Sequence, residues 1–232
     1  MQTLKPDVVV IGAGTAGLAA YRAAIAAGKN TLLIEGGPYG TTCARVGCMP
    51  SKLLVAAADA AHAAQHTNAF GVYIEGLVRI NGREVMDRVK RERDRFVGFV
   101  LESIENIPAE HKLRGFARFM APGVLAVDQH TEVHTQSVVI ATGSSAVIPP
   151  PFRGLGDRLV INDDVFSWDD LPKRVAVFGP GVIGLEIGQA LARLGVTVRV
   201  FGVRGSLAGI SDPEVRQVAK KIFQQEFYLD PD

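Results

Sequence analysis

Asp7-Val-Val-Val-Ile-Gly-Ala-Gly-Thr-Ala-Gly17 is the stretch that decides the fold. A short β-branched run enters a glycine turn, and alanine-rich sequence follows as far as Gly28. This order predicts strand, tight turn and helix, with Gly28 ending the helix. Residues 31–34 read as the next strand, closed by Glu35, eighteen positions after Gly17. That spacing suits a carboxylate that binds a ribose hydroxyl. The pattern then returns in Val175-Ala-Val-Phe-Gly-Pro-Gly-Val-Ile-Gly184. Gly12, Gly14, Gly17 and Gly28 recur as Gly179, Gly181, Gly184 and Gly195, each 167 residues on. One glycine fingerprint is weak evidence. Two at a fixed offset, each between a strand and a helix, mark a repeated unit and two dinucleotide sites. Glycine lets the backbone approach a pyrophosphate, and the following helix offers free N–H groups.

Composition narrows the class. The 232 residues are 47% hydrophobic with a net charge of +1. A packed core is within reach, and no global charge points to nucleic acid or an anionic membrane. The first seven residues lack an apolar signal-peptide core. The uncharged stretch 8–21 is too short to span a bilayer. The reading is a soluble, cytoplasmic protein with no nucleic-acid or membrane partner.

Between the repeats, residues 51–66 are alanine-rich and predict a helix. Residues 83–107 predict a long amphipathic helix, with Val85, Val89, Phe96, Val100 and Ile104 on or near one face. Its basic run, Arg88 to Arg95, reads as a solvated face. Residues 113–140 alternate apolar and polar around Pro122-Gly123 and predict antiparallel strands. Residues 144–172, with Pro149, Pro150, Pro151 and Pro172, read as a linker.

There are two cysteines, in Gly40-Thr-Thr-Cys43-Ala-Arg-Val-Gly-Cys48-Met-Pro-Ser-Lys52. Two cysteines make no secreted disulfide framework. Five residues of regular helix separate Cα atoms by about 8–9 Å, whereas a disulfide needs less than about 7 Å. A bridge therefore requires a bend, and Gly47 is the place for it. Pro50 suits the first turn of the following helix. Cys48 would then sit near a helix amino terminus, which favours a thiolate.

At these residues the chain resembles the pyridine nucleotide–disulfide oxidoreductases, in the branch of lipoamide dehydrogenase and mercuric reductase. The resemblance rests on Thr42-Cys43 with Val46-Gly-Cys48-Met-Pro-Ser-Lys52, on Ala141-Thr-Gly-Ser144, and on Gly179 to Glu186. It runs colinearly over nearly the whole chain. It implies an α/β fold of two Rossmann-like dinucleotide-binding domains. Residues 1–146 would bind FAD and carry the inserted helix and antiparallel strands. Residues 147–172 would link, and 173–232 would form an incomplete NAD(P)-binding domain. The FAD would lie on Gly12, Gly14, Gly17, Glu35, Thr42, Ala141, Thr142 and Gly143, with Lys52 near its reactive edge. Gly179, Gly181 and Gly184 would receive the nicotinamide nucleotide. Cys48 would be the thiol next to the flavin and Cys43 the one that meets the substrate. Glu186 would pair with Lys52. The implied partners are a small or protein-bound dithiol or disulfide, and a second subunit.

The resemblance has departures. Family members run to about twice this length. The rest of the nicotinamide domain, a last flavin-binding segment and a carboxy-terminal dimerisation domain with a His–Glu base are expected to be absent from these residues. Of the five histidines, His62 and His66 share a helix face, and His111, His130 and His134 carry no visible chemistry, so no metal site is expected. The position matching Glu35 in the second repeat is Gly202, which leaves NAD and NADP both open. Arg204 is the candidate for a 2′-phosphate, ahead of Arg199. Thr41 stands where the family has a glycine, and Ala44-Arg45 replaces Leu-Asn, so the substrate stays open. The competing expectation is a flavin-binding fragment without turnover.

Overall fold

The structure, a computed structural model, describes residues 2–232. Contacts divide the chain into two compact units, Met1–Arg45 with Asp94–Ile148, and Val46–Arg93 with Pro149–Asp232.

In the first unit, β1 (Gln2–Leu4), β2 (Val8–Ile11), α1 (Thr15–Ala26) and β3 (Thr31–Glu35) follow one another. Helix α2 (Thr42–Val46) comes next, and the end of α4 (Gly82–Glu105) also belongs here. Then come β4 (Lys112–Arg114), β5 (Ala117–Ala121), β6 (Val124–Val127), β7 (Thr131–His134) and β8 (Ser137–Ile140). One sheet runs β4-β3-β2-β8, all parallel. The other runs β1-β7-β6-β5, with β5, β6 and β7 antiparallel and β1 parallel to β7. The expectation of antiparallel strands throughout 113–140 thus holds only for β5 to β7. Strands β4 and β8 leave the meander and flank the parallel sheet, where they complete the backbone hydrogen bonding of β3 and β2. The alternation that predicted strands says nothing about their partners.

The period of two along β2 and β3 builds a three-layer unit. Val10 and Leu33 pack with Leu18, Tyr21, Ile104 and Ile107 from the helical side. Val9, Leu32 and Ile34 face the other way, onto Leu125, Val127 and Val133 of the meander.

The second unit contains α3 (Cys48–Gln65), β9 (Arg174–Phe178), α5 (Val182–Arg193), β10 (Thr197–Phe201), α6 (Pro213–Gln224) and β11 (Tyr228–Asp230). Its sheet is parallel, in the order β11-β10-β9. Leu54, Ala58 and Ala61 of α3 share one core with Leu185, Ile187, Ala190 and Leu191 of α5, and with Val198 and Val200 of β10. The alanines on α3 allow that close approach. Residues 147–172, expected as a linker, are not an open tether. Short 3-10 turns form at Pro150–Arg158 and Asp164–Ser167, and Val165 and Phe166 are buried in the same core. The basic run of α4 helps to hold them. Arg93 donates to the Phe166 carbonyl at 2.9 Å, Lys90 pairs with Asp169 at 2.9 Å, and Arg88 caps the Leu53 carbonyl at 3.1 Å. The face read as solvated is therefore partly a set of ties.

Candidate functional site

The first glycine turn lies between β2 and α1. Gly12 has φ +104°, a conformation that favours glycine. A Cβ on Gly17 would lie 1.7 Å from the Gly12 carbonyl oxygen, so α1 can dock on the turn only without a side chain there. Gly14 is the N-cap of α1, and a Cβ there would meet nothing within 4 Å. The open side of the turn is therefore free to receive a group against bare backbone. The Glu35 carboxylate spans the turn, accepting from Ala13 N–H at 2.7 Å and from Gly37 N–H at 2.7 Å. Residues 141–143 abut it. Ala141 N–H donates to the Ile11 carbonyl at 2.8 Å, and a Cβ on Gly12 would strike the Ala141 oxygen at 2.3 Å. Thr142 and Gly143 are exposed beside it.

The second turn, between β9 and α5, repeats this build. Gly179 has φ +113°, Gly181 caps α5 with open space around it, and a Cβ on Gly184 would lie 2.2 Å from the Gly179 oxygen. Gly202 follows β10, and Arg204 is exposed with φ +59°.

Cys43 is half-buried in α2, and Cys48 is exposed at the start of α3. Gly47 separates the two helices. Thr42 is the first residue of α2. Thr41 adopts φ +61°, a rare conformation for a β-branched residue. Its hydroxyl accepts from Ala44 N–H at 3.1 Å and so caps α2.

One turn along α3, the Lys52 ammonium donates to Glu186 Oε2 of α5 at 2.8 Å. Lys52 is two-thirds exposed (66%) and Glu186 much less (28%). Burial alone would raise the Glu186 carboxyl. Hydrogen bonds with Lys52 and Ser51, and the lysine charge, more than offset it and hold the carboxyl below its usual range. The contribution of Ser51 was not anticipated from the sequence, although the residue stands next to Lys52. Lower on the same helices, Arg193 forks onto Glu226, Nε to Oε2 at 2.7 Å and Nη2 to Oε1 at 2.9 Å, and reaches Asp59 at 2.7 Å. This ties α3, α5 and the approach to β11 together.

His66 contacts the His62 carbonyl at 2.7 Å, and the two rings lie 4.1 Å apart. Among the described residues no group of three or more His, Cys, Asp or Glu is placed to hold a metal ion. No helix among them is long and apolar enough to cross a membrane.

Two such turns, each between a parallel strand and a helix, and a cysteine segment after the first define an α/β protein built on a repeated strand–turn–helix unit. More specifically, the chain belongs to the pyridine nucleotide-disulphide oxidoreductase family, which it matches over residues 6–227. It is 34% identical to a dihydrolipoyl dehydrogenase of Cupriavidus necator, over 93% of this chain and 48% of that protein. It is 30% identical to the mitochondrial dihydrolipoyl dehydrogenase of Pisum sativum, over 95% and 45%. The chain thus spans about half the length of the curated relatives it matches. Among solved structures, the HOCl-induced flavoprotein disulfide reductase RclA of Escherichia coli shares the fold, with a TM-score of 0.77 at 24% identity, covering 97% of this chain and 48% of that one.

Proposed function

We propose that the chain carries the FAD- and nicotinamide-binding part of an oxidoreductase that moves electrons between NAD(P)H and a dithiol or disulfide through Cys43 and Cys48. The observation that carries this reading is the doubled turn. Two glycine turns of one build, each with an open face, lie in one chain that also holds the Thr42-Cys43 to Lys52 segment. Residues 1–146 would hold FAD, with its pyrophosphate on Gly12, Gly14 and Gly17, its ribose at Glu35, and Thr42 and Ala141 to Gly143 beside it. The residues fit that group. The first turn leaves room at Gly14, and the Glu35 carboxylate, now on two backbone N–H groups, is an acceptor a ribose hydroxyl can share. Residues 173–232 would receive the nicotinamide nucleotide on Gly179, Gly181 and Gly184.

FAD, when bound, supplies hydride acceptance and two-electron transfer to a disulfide. The chain's own part is thiol chemistry. Reduction of a Cys43–Cys48 bridge breaks one S–S bond and takes two electrons and two protons, leaving two thiols. Cys43 then attacks a substrate disulfide, forms a mixed disulfide and expels one substrate thiolate. Cys48 attacks Cys43, re-forms the bridge and releases the second thiol. In dithiol oxidation the same steps run backwards. The Glu186 carboxylate holds the Lys52 ammonium in place, and that lysine would lie near the reactive edge of the flavin. The substrate would be a small or protein-bound dithiol, the assembly a homodimer, and the compartment a reducing one such as the cytoplasm.

A second reading is a flavin-binding fragment without turnover. One experiment separates the two. The flavin-loaded protein is titrated anaerobically with NADH and with NADPH. Bleaching with a long-wavelength charge-transfer band supports the enzyme. Bound flavin that neither nucleotide reduces leaves only the fragment. Cys48→Ser removes the band and keeps the flavin; loss of the flavin too contradicts the role given to Cys48.

A further inference from the structure

The two glycine turns match at every glycine and differ at two positions that, in the first turn, bond to each other. There, Ala13 N–H donates to Glu35 at 2.7 Å. The residues 167 positions on are Pro180 and Gly202. Proline has no N–H to donate, and glycine has no carboxylate to accept. The acid's place is also filled. A Cβ on Gly202 would lie 2.7 Å from the Pro180 ring and 2.7 Å from the Pro231 carbonyl oxygen. Gly202 N–H is bound to the Asp230 carbonyl at 2.7 Å, and Ala208 N–H to the Pro180 carbonyl at 2.7 Å. No carboxylate side chain can stand at position 202 of this backbone.

Positive charge gathers close to that loop. Arg204 is exposed and held at φ +59°, where a glycine would be less strained, an outlier of the kind that accompanies binding sites. Its neighbour Gly205 lines a cavity of about 220 Å³ with Arg216 and Lys220, which are one turn apart on α6, and with Pro231 and Asp232. That is smaller than a whole-ligand site of about 300–1,000 Å³ and suits a substituent. It lies outside the carboxyl ends of β10 and β11, where open α/β sheets take their ligands. Arg204, Arg216 and Lys220 form no ion pair among the described residues, and Asp232 is the one carboxylate on the cavity wall.

We propose that the second turn selects a nicotinamide dinucleotide carrying a 2′-phosphate, with Arg204, Arg216 and Lys220 holding that phosphate. The proposal rests on the reading of this turn as the pyridine-nucleotide site. A free 2′-hydroxyl would find no carboxylate at position 202, where the first turn has Glu35. A phosphate would find Arg216 and Lys220 on the cavity wall, beside Asp232, and Arg204 in the adjoining loop.

The test is calorimetric titration of the 232-residue protein, with FAD in excess to fill the first turn, using 2′,5′-ADP and 5′-AMP. These probes differ only in the 2′-phosphate. The expected result is at least about tenfold tighter binding of 2′,5′-ADP, as one or two charge-assisted hydrogen bonds provide, shrinking as salt is raised. Arg204→Gly relaxes the backbone while removing the guanidinium, and Lys220→Gln removes the ammonium. Each should weaken 2′,5′-ADP several-fold and leave 5′-AMP unchanged. Equal binding of the two probes, or tighter 5′-AMP, overturns the preference and leaves the dinucleotide site standing. Binding of neither overturns the preference and the dinucleotide reading together.

Discussion

The Lys52 ammonium sits 2.8 Å from the Glu186 carboxylate, although the two residues are 134 positions apart. Because Glu186 is held below its ordinary value of 4.5, its ionised form stabilises the fold. That contribution is complete above the unfolded value and is lost as pH falls through the lower folded one. Glu186→Gln should therefore lower stability at neutral pH, by no more than about 1 kcal/mol because Lys52 is largely exposed. The difference from the parent should fade as pH falls below that ordinary value and through the lower folded one. Denaturant melts across this range read it directly, and a difference that widens on acidification contradicts the pairing.

Gly14 and Gly17 should separate binding from folding. Alanine at Gly17 drives a Cβ to 1.7 Å from backbone oxygen and should cost about 2–4 kcal/mol. Alanine at Gly14 meets nothing within 4 Å and should lower stability by only a few tenths, as a poorer cap. It should nevertheless weaken FAD binding, since its methyl enters the open face of the turn. Thermal melts with flavin fluorescence check both, and unchanged flavin affinity in Gly14→Ala argues against a pyrophosphate there.

Arg193 joins three segments through one fork. The hydrogen bond of Glu226 is the leading influence on its pKa, and with the Glu226 charge and the Asp59 contact it outweighs burial and raises the value above the usual one. Arg193→Ala leaves Glu226 with Gln189 as its one side-chain hydrogen-bond partner among the described residues. It should cost about 1–3 kcal/mol, less than a fully buried pair would because the site keeps some contact with solvent. Arg193→Lys should recover less than half of that, because an ammonium cannot make both bonds of the fork. Equal stability of the lysine variant and the parent would count against bidentate geometry.

Thr41 combines a left-handed backbone with a helix cap. Asparagine tolerates that conformation and also caps. Thr41→Asn should raise stability by about 1 kcal/mol, while Thr41→Gly relieves the strain but gives up the hydroxyl that accepts from Ala44. A melting temperature lower for asparagine than for threonine overturns this account.

Much of the fold was legible in the sequence because it is coded locally. Glycines at 12 and 179 announce a positive φ, and those at 17 and 184 announce a close helix–strand contact. The boundaries of α1, β3 and α4 fall within a few residues of the expected ones. Strand partners were less legible, since alternation in 113–140 fixes which residues face inward but not which neighbour each strand takes. The proline-bearing stretch 144–172 read as a linker because the burial of Phe166 depends on helices far away in sequence. The candidate site divides the same way. Its glycines, cysteines and Lys52 stood out by spacing, whereas the support of Ser51 for Glu186 needed two helices to meet.

The sequence by itself determined that this chain carries two glycine turns of one build and a cysteine segment, because backbone conformation and spacing along the chain are properties of short stretches. It also exposed the missing acid at Gly202. Only the tertiary structure decided what that absence means. It set the Pro180 ring and the Pro231 carbonyl where a side chain would go, and brought Arg216 and Lys220 of α6 to the cavity beside Gly205. Those arrangements come from the packing of segments that are remote in sequence, and no spacing within one segment encodes them.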